Sequence, residues 1–397
     1  VSLTNGRGTA AAFNVASAAP DLRVRMRYPN AVSPTVTSCS TDNFSIRPQV
    51  FTVTSSNANN SGTGAGTTIK TGANFNLTAT AVTGYNGTPI IDNTKIVGTP
   101  TAGTVGGSFT AGAGFASGNS FFYSEVGNFG LGPDAVRDAA FTNVDQGPGD
   151  CIASSTSNVA SGGRYGCSIG SAAVPQSTGS SGFGRFIPDN FNVTYNVPAL
   201  TPACGAFSYV GQIFNYLIVP VMTVTARNGT NNGLTNATTL NYAGSYMKFT
   251  NASLAPAAYD TQAERYLRFD ALGGGATPAL DVSQLPATTA DPTIGTFTAG
   301  VGTFTFSGGS GFSFTRSATT PSAAFDADIA LGLNVIDADG VTFAANPASF
   351  GSAAAGNGML FSDANALTTT DKSIRYGRLR IGGASGSQLL PLRLPVE

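Results

Sequence analysis

Residues 44–54 read FSIRPQVFTVT, and residues 186–194 read FIPDNFNVT. In both stretches a proline is followed by phenylalanine at the third position, valine at the fifth and threonine at the sixth. A second matched pair follows each copy, GANFN at 72–76 and GQIFN at 211–215. Two matched pairs at nearly equal spacing predict a β module that occurs twice in the chain.

Alternation of apolar and polar residues predicts many short strands separated by Gly-, Asn- and Ser-rich turns. Short alternating strands need two packed sheets to bury one face each, which favours an all-β fold of tandem immunoglobulin-like β-sandwich modules with long Gly/Ser/Thr/Asn-rich loops. One short helix is predicted within residues 256–269. The predicted strands are 22–26, 51–54, 75–82, 121–126, 191–195, 222–226, 303–306, 312–315, 329–335, 374–381 and 389–396.

Turn-rich linkers near the repeated motif suggest four parts. Residues 1–40 are predicted to be the end of a preceding β module, and residues 41–183 the first β-sandwich module. Residues 184–290 are predicted to begin the second module. Residues 291–397 would form a C-terminal β region that completes the second module or forms a third.

The composition favours a folded, weakly charged protein without nucleic-acid partners. Charged residues are 10% of the chain, against about 25% in ordinary globular proteins. The hydrophobic share of 41% and aromatic share of 10% supply a core. A net charge of −1 gives no basic surface for nucleic acid.

Histidine is absent from the sequence. Ser-His-Asp and Cys-His catalysis both need an imidazole, and so do the usual zinc and haem sites. The sequence therefore predicts that the protein is not an enzyme. No apolar run approaches the 18 or so residues of a transmembrane helix, so no transmembrane segment is expected. The chain starts at Val1, and we expect it to be a piece of a longer, processed precursor.

The four cysteines are Cys39, Cys151, Cys167 and Cys204. None forms a C-x-x-C pair, and an even number in a weakly charged β chain indicates disulfides and an oxidising compartment. Three pairings are open; we favour Cys151–Cys167, which closes a Gly/Ser-rich loop, and Cys39–Cys204, which ties the starts of the two modules. Four buried free thiols are the alternative.

Two Asp-x-Asp pairs, Asp326 with Asp328 and Asp337 with Asp339, are candidates for a calcium site. An Asp-x-Asp segment can place two carboxylates on one face, and hard cations prefer oxygen ligands. The alternative is a β-turn in which aspartate caps its own backbone. The segment 143–146 (NVDQ), which contains Asp145, together with Asp150 is a second candidate for the same cation.

Two further expectations concern arginine. Arg47 lies between Ile46 and Pro48 in a charge-poor repeat, so an ion pair within the core or at a module junction is one interpretation of it. The segment 374–396 is predicted to form a long β-hairpin. Prolines in its returning strand place that strand at a sheet edge.

Several segments resemble the C-terminal region of MshQ-like proteins, which are encoded with mannose-sensitive haemagglutinin (type IV) pilus systems. That region is a domain of unknown function. The resemblance implies an exported protein linked to pili or the cell surface and carries over no biochemical activity. The matching segments are 42–48, 184–191, 203–212, 331–340, 374–381 and 389–392.

These observations predict a non-enzymatic extracellular structural or adhesive protein of a pilus or cell-surface filament, exported through the periplasm. Expected partners are pilus or surface-filament proteins, including a second copy of the chain, and a host or surface glycan. No cofactor is expected apart from the candidate calcium. The alternative function is a calcium-dependent carbohydrate-binding module.

Overall fold

The structure is a computed structural model of the 397-residue chain. It describes residues 5, 14–28, 32–59, 67–176, 182–255, 258–268, 278–326, 329–351, 359, 361, 372–379, 382–386 and 391. The chain forms two compact units: the first comprises residues 1–189 and 226–246, and the second comprises residues 190–225 and 247–397. The predicted four-part division of the chain stays a prediction.

The strands found among the described residues are short and are numbered here in chain order. Sixteen of them precede residue 189: β1 (Ala19–Leu22), β2 (Arg25–Tyr28), β3 (Val36–Cys39), β4 (Phe44–Ile46), β5 (Thr52–Thr54), β6 (Ile69–Lys70), β7 (Phe75–Thr80), β8 (Ile90–Ile91), β9 (Ile96–Gly98), β10 (Val105–Gly106), β11 (Thr110–Ala111), β12 (Phe115–Tyr123), β13 (Gly127–Leu131), β14 (Val136–Asp138), β15 (Ile169–Gly170) and β16 (Phe183–Ile187).

Thirteen strands follow: β17 (Asn190–Tyr195), β18 (Ala199–Thr201), β19 (Ser208–Tyr209), β20 (Asn215–Ile218), β21 (Val221–Arg227), β22 (Tyr266–Arg268), β23 (Leu280–Asp281), β24 (Thr293–Ile294), β25 (Val301–Thr305), β26 (Ser313–Phe314), β27 (Ile329–Leu333), β28 (Ala348–Phe350) and β29 (Ile374–Arg375). The α-helices are single turns, α1 (Asn143–Gln146) and α2 (Gln262–Arg265), and 3-10 turns span Asn93–Lys95, Asn231–Gly233 and Gly244–Tyr246. The all-β prediction is therefore confirmed.

The first unit is built on two main sheets that share an aromatic core. One sheet has the order β10-β12-β7-β5, and the other has the order β6-β16-β13-β9. The ring of Phe75 on β7 lies 6.0 Å from Phe129 on β13 and 5.2 Å from Phe186 on β16. Tyr123 on β12 lies 4.7 Å from Phe129. Because these contacts join the inner faces of the two sheets, the unit packs as a β-sandwich.

The second unit is centred on the sheet β17-β21-β25-β24, with the smaller sheet β22-β27-β28 and several two-stranded pairs. Its core is again aromatic. Phe191 on β17 lies 4.6 Å from Phe249, which lies 5.0 Å from Phe304 on β25. Residues of β21 alternate between buried and half-buried, as the period-two pattern predicts.

The repeated motif has the same local structure in both units. Phe51 is buried and forms a parallel bridge with Ser171; its counterpart Phe191 is buried and forms a parallel bridge with Phe343. Phe75 pairs with Phe121, and its counterpart Phe214 pairs with Phe312, both in antiparallel register. The equivalent contacts follow one another in the same order along the chain, so the repeat predicted from the sequence is a structural repeat.

Residues 226–246, which follow most of β21 in the chain, belong to the first unit. The Glu125 carboxylate accepts hydrogen bonds from the N–H groups of Leu240 (2.9 Å) and Asn241 (3.1 Å). The Asn241 side chain donates to the carbonyl oxygens of Thr101 (2.8 Å) and Val126 (3.1 Å). A buried carboxylate and a buried amide thus fix the segment through main-chain groups.

The structure bears on two local predictions. Of the strand predicted at 374–381, residues 374–375 form β29 and residues 376–379 are not in a strand, while 380 and 381 lie outside the described residues. β29 pairs in parallel with β19. Most of the returning arm, 388–396, lies outside the described residues. The short helix predicted within 256–269 is found as the single turn α2, whose N-terminus has a Thr261–Glu264 capping box. No described helix has the length and apolar character needed to cross a membrane.

Candidate functional site

A pocket of about 490 Å³ lies beside β4 in the first unit. We refer to it as the β4 pocket. One wall consists of Phe44, Ser45, Ile46, Arg47 and Gln49, and the opposite wall includes Asp145, Asp150, Asn158, Tyr165 and Gly166. Successive side chains of a strand point to opposite faces. A pocket that touches four consecutive residues of the chain therefore runs along the edge of the strand.

The disulfide predicted between Cys151 and Cys167 is present, with the two Cα atoms 5.1 Å apart. It closes the loop that forms the far wall of the β4 pocket. The same loop is tied by main-chain bonds from Ile152 N–H to the Tyr165 carbonyl (2.8 Å) and from Cys167 N–H to the Ile152 carbonyl (2.9 Å). The second predicted bridge is not formed: Cys39 and Cys204, both described, are exposed free thiols.

Arg47 connects the β4 strand region to this loop. Its guanidinium donates to the carbonyl oxygens of Gly166 (2.7 Å), Ser157 (2.8 Å) and Pro48 (3.0 Å). Burial lowers the pKa of this guanidinium from its ordinary value. Among the described residues, the contacts of Arg47 are thus carbonyl oxygens and not the carboxylate of an ion pair, so the side chain positions the pocket wall.

Asp145 occupies the edge of β4. Its carboxylate accepts hydrogen bonds from Ser45 N–H (3.1 Å) and from the Ser45 hydroxyl. Asp150, the other member of this calcium candidate, is exposed and donates its N–H to the Asp145 carbonyl (2.9 Å). The Asp145 carboxylate therefore substitutes for a neighbouring strand at one N–H of β4.

The Asp326 side chain, like that of Asp145, accepts a hydrogen bond from a main-chain N–H group of a serine. Its carboxylate accepts a hydrogen bond from Ser373 N–H (3.0 Å) and forms an ion pair with Lys372 at 2.8 Å. Asp328, its predicted companion in a calcium site, lies outside the described residues. This cap could not be predicted from the sequence, because the serine lies 47 residues further along the chain.

Asp337 and Asp339 belong to a turn. The Asp337 carboxylate accepts hydrogen bonds from the N–H groups of Asp339 and Val341, each at 3.0 Å. This is the self-capping turn that was the alternative to calcium. Within the described part of the chain, no three Cys, Asp or Glu side chains converge in a metal-binding group. Calcium binding at these aspartates stays a prediction.

Sequence reasoning missed a buried polar cluster in the second unit. Arg265 and Asp291 are 0% and 1% exposed, and the Arg265 guanidinium donates to the Asp291 carbonyl (2.7 Å) and to the Tyr259 carbonyl (3.0 Å). Burial raises the pKa of the Asp291 carboxyl to about 6, against the lowering effect of a bond from Ser307 N–H. The Tyr216 hydroxyl donates to that of Tyr266 at 3.1 Å. A Thr-x-x-Glu pattern at Thr261 and Glu264, which forms a capping box in the structure, is a local signal that could have indicated the turn beside this cluster.

Comparison with known proteins gives one family match. Residues 168–365, just under half of the chain, match the model of a family described as DUF6701, third domain. The matched range includes β16 and most of the second unit. No curated protein and no solved structure matches the chain.

Proposed function

We propose that this chain is a non-enzymatic structural or adhesive protein of the cell exterior, part of a pilus or another surface filament. The observation that carries the proposal is the duplicated β unit, in which two copies of one motif make the same core and turn contacts. Tandem modules that each bury their own core lengthen a protein while leaving the outer faces free for contacts. Such an arrangement suits a scaffold.

The chemistry of the chain agrees with an exterior location. A disulfide persists in oxidising compartments, and Cys151–Cys167 closes the wall of the β4 pocket. With only 10% charged residues, the outer faces are dominated by uncharged polar groups, whose contacts depend little on salt. We propose export through the periplasm, with filament proteins or a surface glycan as partners.

Immunogold electron microscopy of the producing cells tests the proposal, with preimmune serum as the control. We expect gold particles on the cell surface or along fibres, together with an oxidised Cys151–Cys167 pair in the isolated protein. Label confined to the cytoplasm, with both cysteines reduced, would contradict the proposal. Calcium-dependent binding to a glycan array would favour the carbohydrate-binding alternative.

A further inference from the structure

Three strands of the chain are equivalent. The tripeptide Ser-Ile-Arg occurs at 45–47, in and just after β4, and again at 373–375, where it includes β29. β4 and β16 are each followed by the proline of the repeated motif, which aligns Ile46 with Phe186. We call β4, β16 and β29 the closing strands, because β16 and β29 come last among the described strands of the two copies.

Each of the two later closing strands lies between two neighbours. β16 pairs antiparallel with β13 on one side and parallel with β6 on the other. β29 forms an antiparallel bridge with Phe325 on one side and pairs in parallel with β19 on the other. In both cases the parallel neighbour is a two-residue strand followed two positions later by a glycine, Gly72 or Gly211.

The hydrogen bonds to the parallel neighbour have one pattern. Thr71 N–H donates to the Ile187 carbonyl at 2.8 Å, and its counterpart Val210 N–H donates to the Arg375 carbonyl at 2.9 Å. Ser208 N–H donates to the Ser373 carbonyl at 2.8 Å. The acceptors on the Ser-Ile-Arg strand are therefore its first and third carbonyl groups.

The first closing strand has only one of these two neighbours. β4 pairs antiparallel with β1, through Ala19 with Ile46 and Leu22 with Phe44, and these two strands make a separate two-stranded sheet among the described residues. The main-chain N–H and C=O groups of successive strand residues point to opposite edges. Those of Ser45 and Arg47 therefore point away from β1. That side is the β4 pocket.

β4 and β29 share an aspartate that caps the N–H group of the serine in Ser-Ile-Arg. Asp145 accepts from Ser45 N–H, and Asp326 accepts from the equivalent Ser373 N–H. In β29 the cap coexists with the parallel neighbour, which binds the carbonyl groups of Ser373 and Arg375. A capped serine N–H therefore leaves the remaining edge of β4 able to accept a strand.

We propose that the β4 edge, inside the β4 pocket, is an acceptor site for an extended segment of another polypeptide, added parallel to β4. The incoming segment would resemble 208–211: two strand residues, a third residue whose N–H reaches the Arg47 carbonyl, then glycine. Main-chain hydrogen bonds supply the affinity in strand addition. The inference deepens the proposed function, on which it rests, by naming the partner as a β module that offers such a segment.

A peptide taken from the chain itself is the probe. Residues 205–214 (GAFSYVGQIF) contain the native partner of the second Ser-Ile-Arg, and the fluorescein-labelled peptide is titrated with the whole protein. Two N-methylated versions form a matched pair. N-methyl-Val210 removes the donor that reaches the closing strand, whereas N-methyl-Tyr209 removes an N–H that is bonded to the Gln212 side chain.

Saturable anisotropy change is expected for the unmodified peptide and for N-methyl-Tyr209. N-methyl-Val210 should bind roughly tenfold more weakly, the effect of one hydrogen bond whose acceptor is left unpaired. Hydrogen exchange of the Arg47 amide, followed with selective arginine labelling, should slow at least about tenfold when peptide is bound, since β pairing protects that N–H.

Four results would overturn the proposal. The first three are no peptide binding, equal weakening by both N-methyl groups, and slowed exchange on peptide binding that does not include the Arg47 amide. The fourth is slowed exchange at Arg47 that depends on protein concentration without peptide, because a second copy and not a separate partner would then fill the edge. The immunogold experiment is independent. Surface label with no peptide binding rejects the acceptor site alone, and peptide binding by a cytoplasmic protein rejects the proposed function alone.

Discussion

Gly72 and Gly211 have the same backbone conformation, with φ of 87° and 84°, at equivalent places in the two units. Each follows a strand that pairs in parallel with a closing strand, and each donates its N–H to a strand carbonyl, that of Tyr123 or Phe314, at 2.9 Å. The next residue bonds back to the carbonyl three positions earlier. A turn with positive φ at its third position favours glycine. This explains why both GANFN at 72–76 and GQIFN at 211–215 begin with glycine.

Gly72→Ala and Gly211→Ala should each lower the free energy of unfolding by about 1–3 kcal/mol, the usual cost of a side chain held at positive φ. A Cβ atom at position 72 would also lie 2.9 Å from the Leu234 side chain. Gly147→Ala is the control, because φ there is −59° and nothing lies within 4 Å of the new atom. Urea unfolding measures the three variants. Equal losses in free energy of unfolding for all three would contradict the claim that Gly72 and Gly211 occupy equivalent turns that need positive φ.

Phe51→Ala and Phe191→Ala should each cost about 3–5 kcal/mol, because each removes a buried ring and leaves a cavity. Phe115→Ala, at a ring 39% exposed, should cost much less. Hydrogen exchange separates the two units: Phe51→Ala should speed exchange in β7, and Phe191→Ala in β25. Faster exchange in the same strands for both variants would show that the two phenylalanines do not belong to separate cores.

Much of the fold follows from the sequence because the buried face of a strand has a period of two. Phe75, Leu77 and Ala79 alternate with less buried residues in β7, and the strand predicted at 75–82 is found at 75–80. The motif that contains Phe51 and Phe191 predicted the duplication, since equivalent cores need equivalent large side chains. The Cys151–Cys167 disulfide could also be predicted from the sequence, because the two residues close a short turn-rich loop.

The features that could not be predicted depend on contacts with main-chain groups. Because every residue has a main-chain carbonyl, the residue type does not identify the partner. Arg47 binds carbonyl groups of Ser157 and Gly166, more than 100 positions away, and any residue provides a carbonyl. The parallel partner of β29 is β19, and periodicity describes one strand without naming its neighbour. The same holds for residues 226–246, which Glu125 fixes through main-chain N–H groups.

Removal of the disulfide should destabilise the first unit. The double variant Cys151→Ser/Cys167→Ser opens a loop with a sequence separation of 16, and we expect a loss of about 3 kcal/mol from the gain in unfolded-chain entropy. The control is Cys39→Ser/Cys204→Ser, which alters two exposed thiols and should stay within about 0.5 kcal/mol of the parent. Equal losses in both double variants would mean that Cys39 and Cys204 also have a structural role.

The free energy of unfolding should depend on pH through the titration of the Asp291 carboxyl. Burial raises the pKa of this carboxyl in the folded state to about 6, above its ordinary value of 3.8. Below the lower value the group is protonated in both states, and its contribution to stability is fully present. Between the two values the unfolded chain releases the proton that the folded protein keeps, so the free energy of unfolding falls as pH rises and levels off above about 6.

Asp291→Asn should remove this fall, because the amide does not titrate. The difference in free energy of unfolding between parent and variant should shift by roughly 2–3 kcal/mol between pH 4 and pH 7, as one pKa unit corresponds to about 1.4 kcal/mol. Asp281→Asn is the control: hydrogen bonds from Ser283 lower the pKa of Asp281, so its contribution changes only at more acidic pH. Denaturant unfolding across this range measures all three proteins. Parallel curves for the parent and Asp291→Asn would show that the Asp291 carboxyl is already ionised at pH 4 in the folded protein.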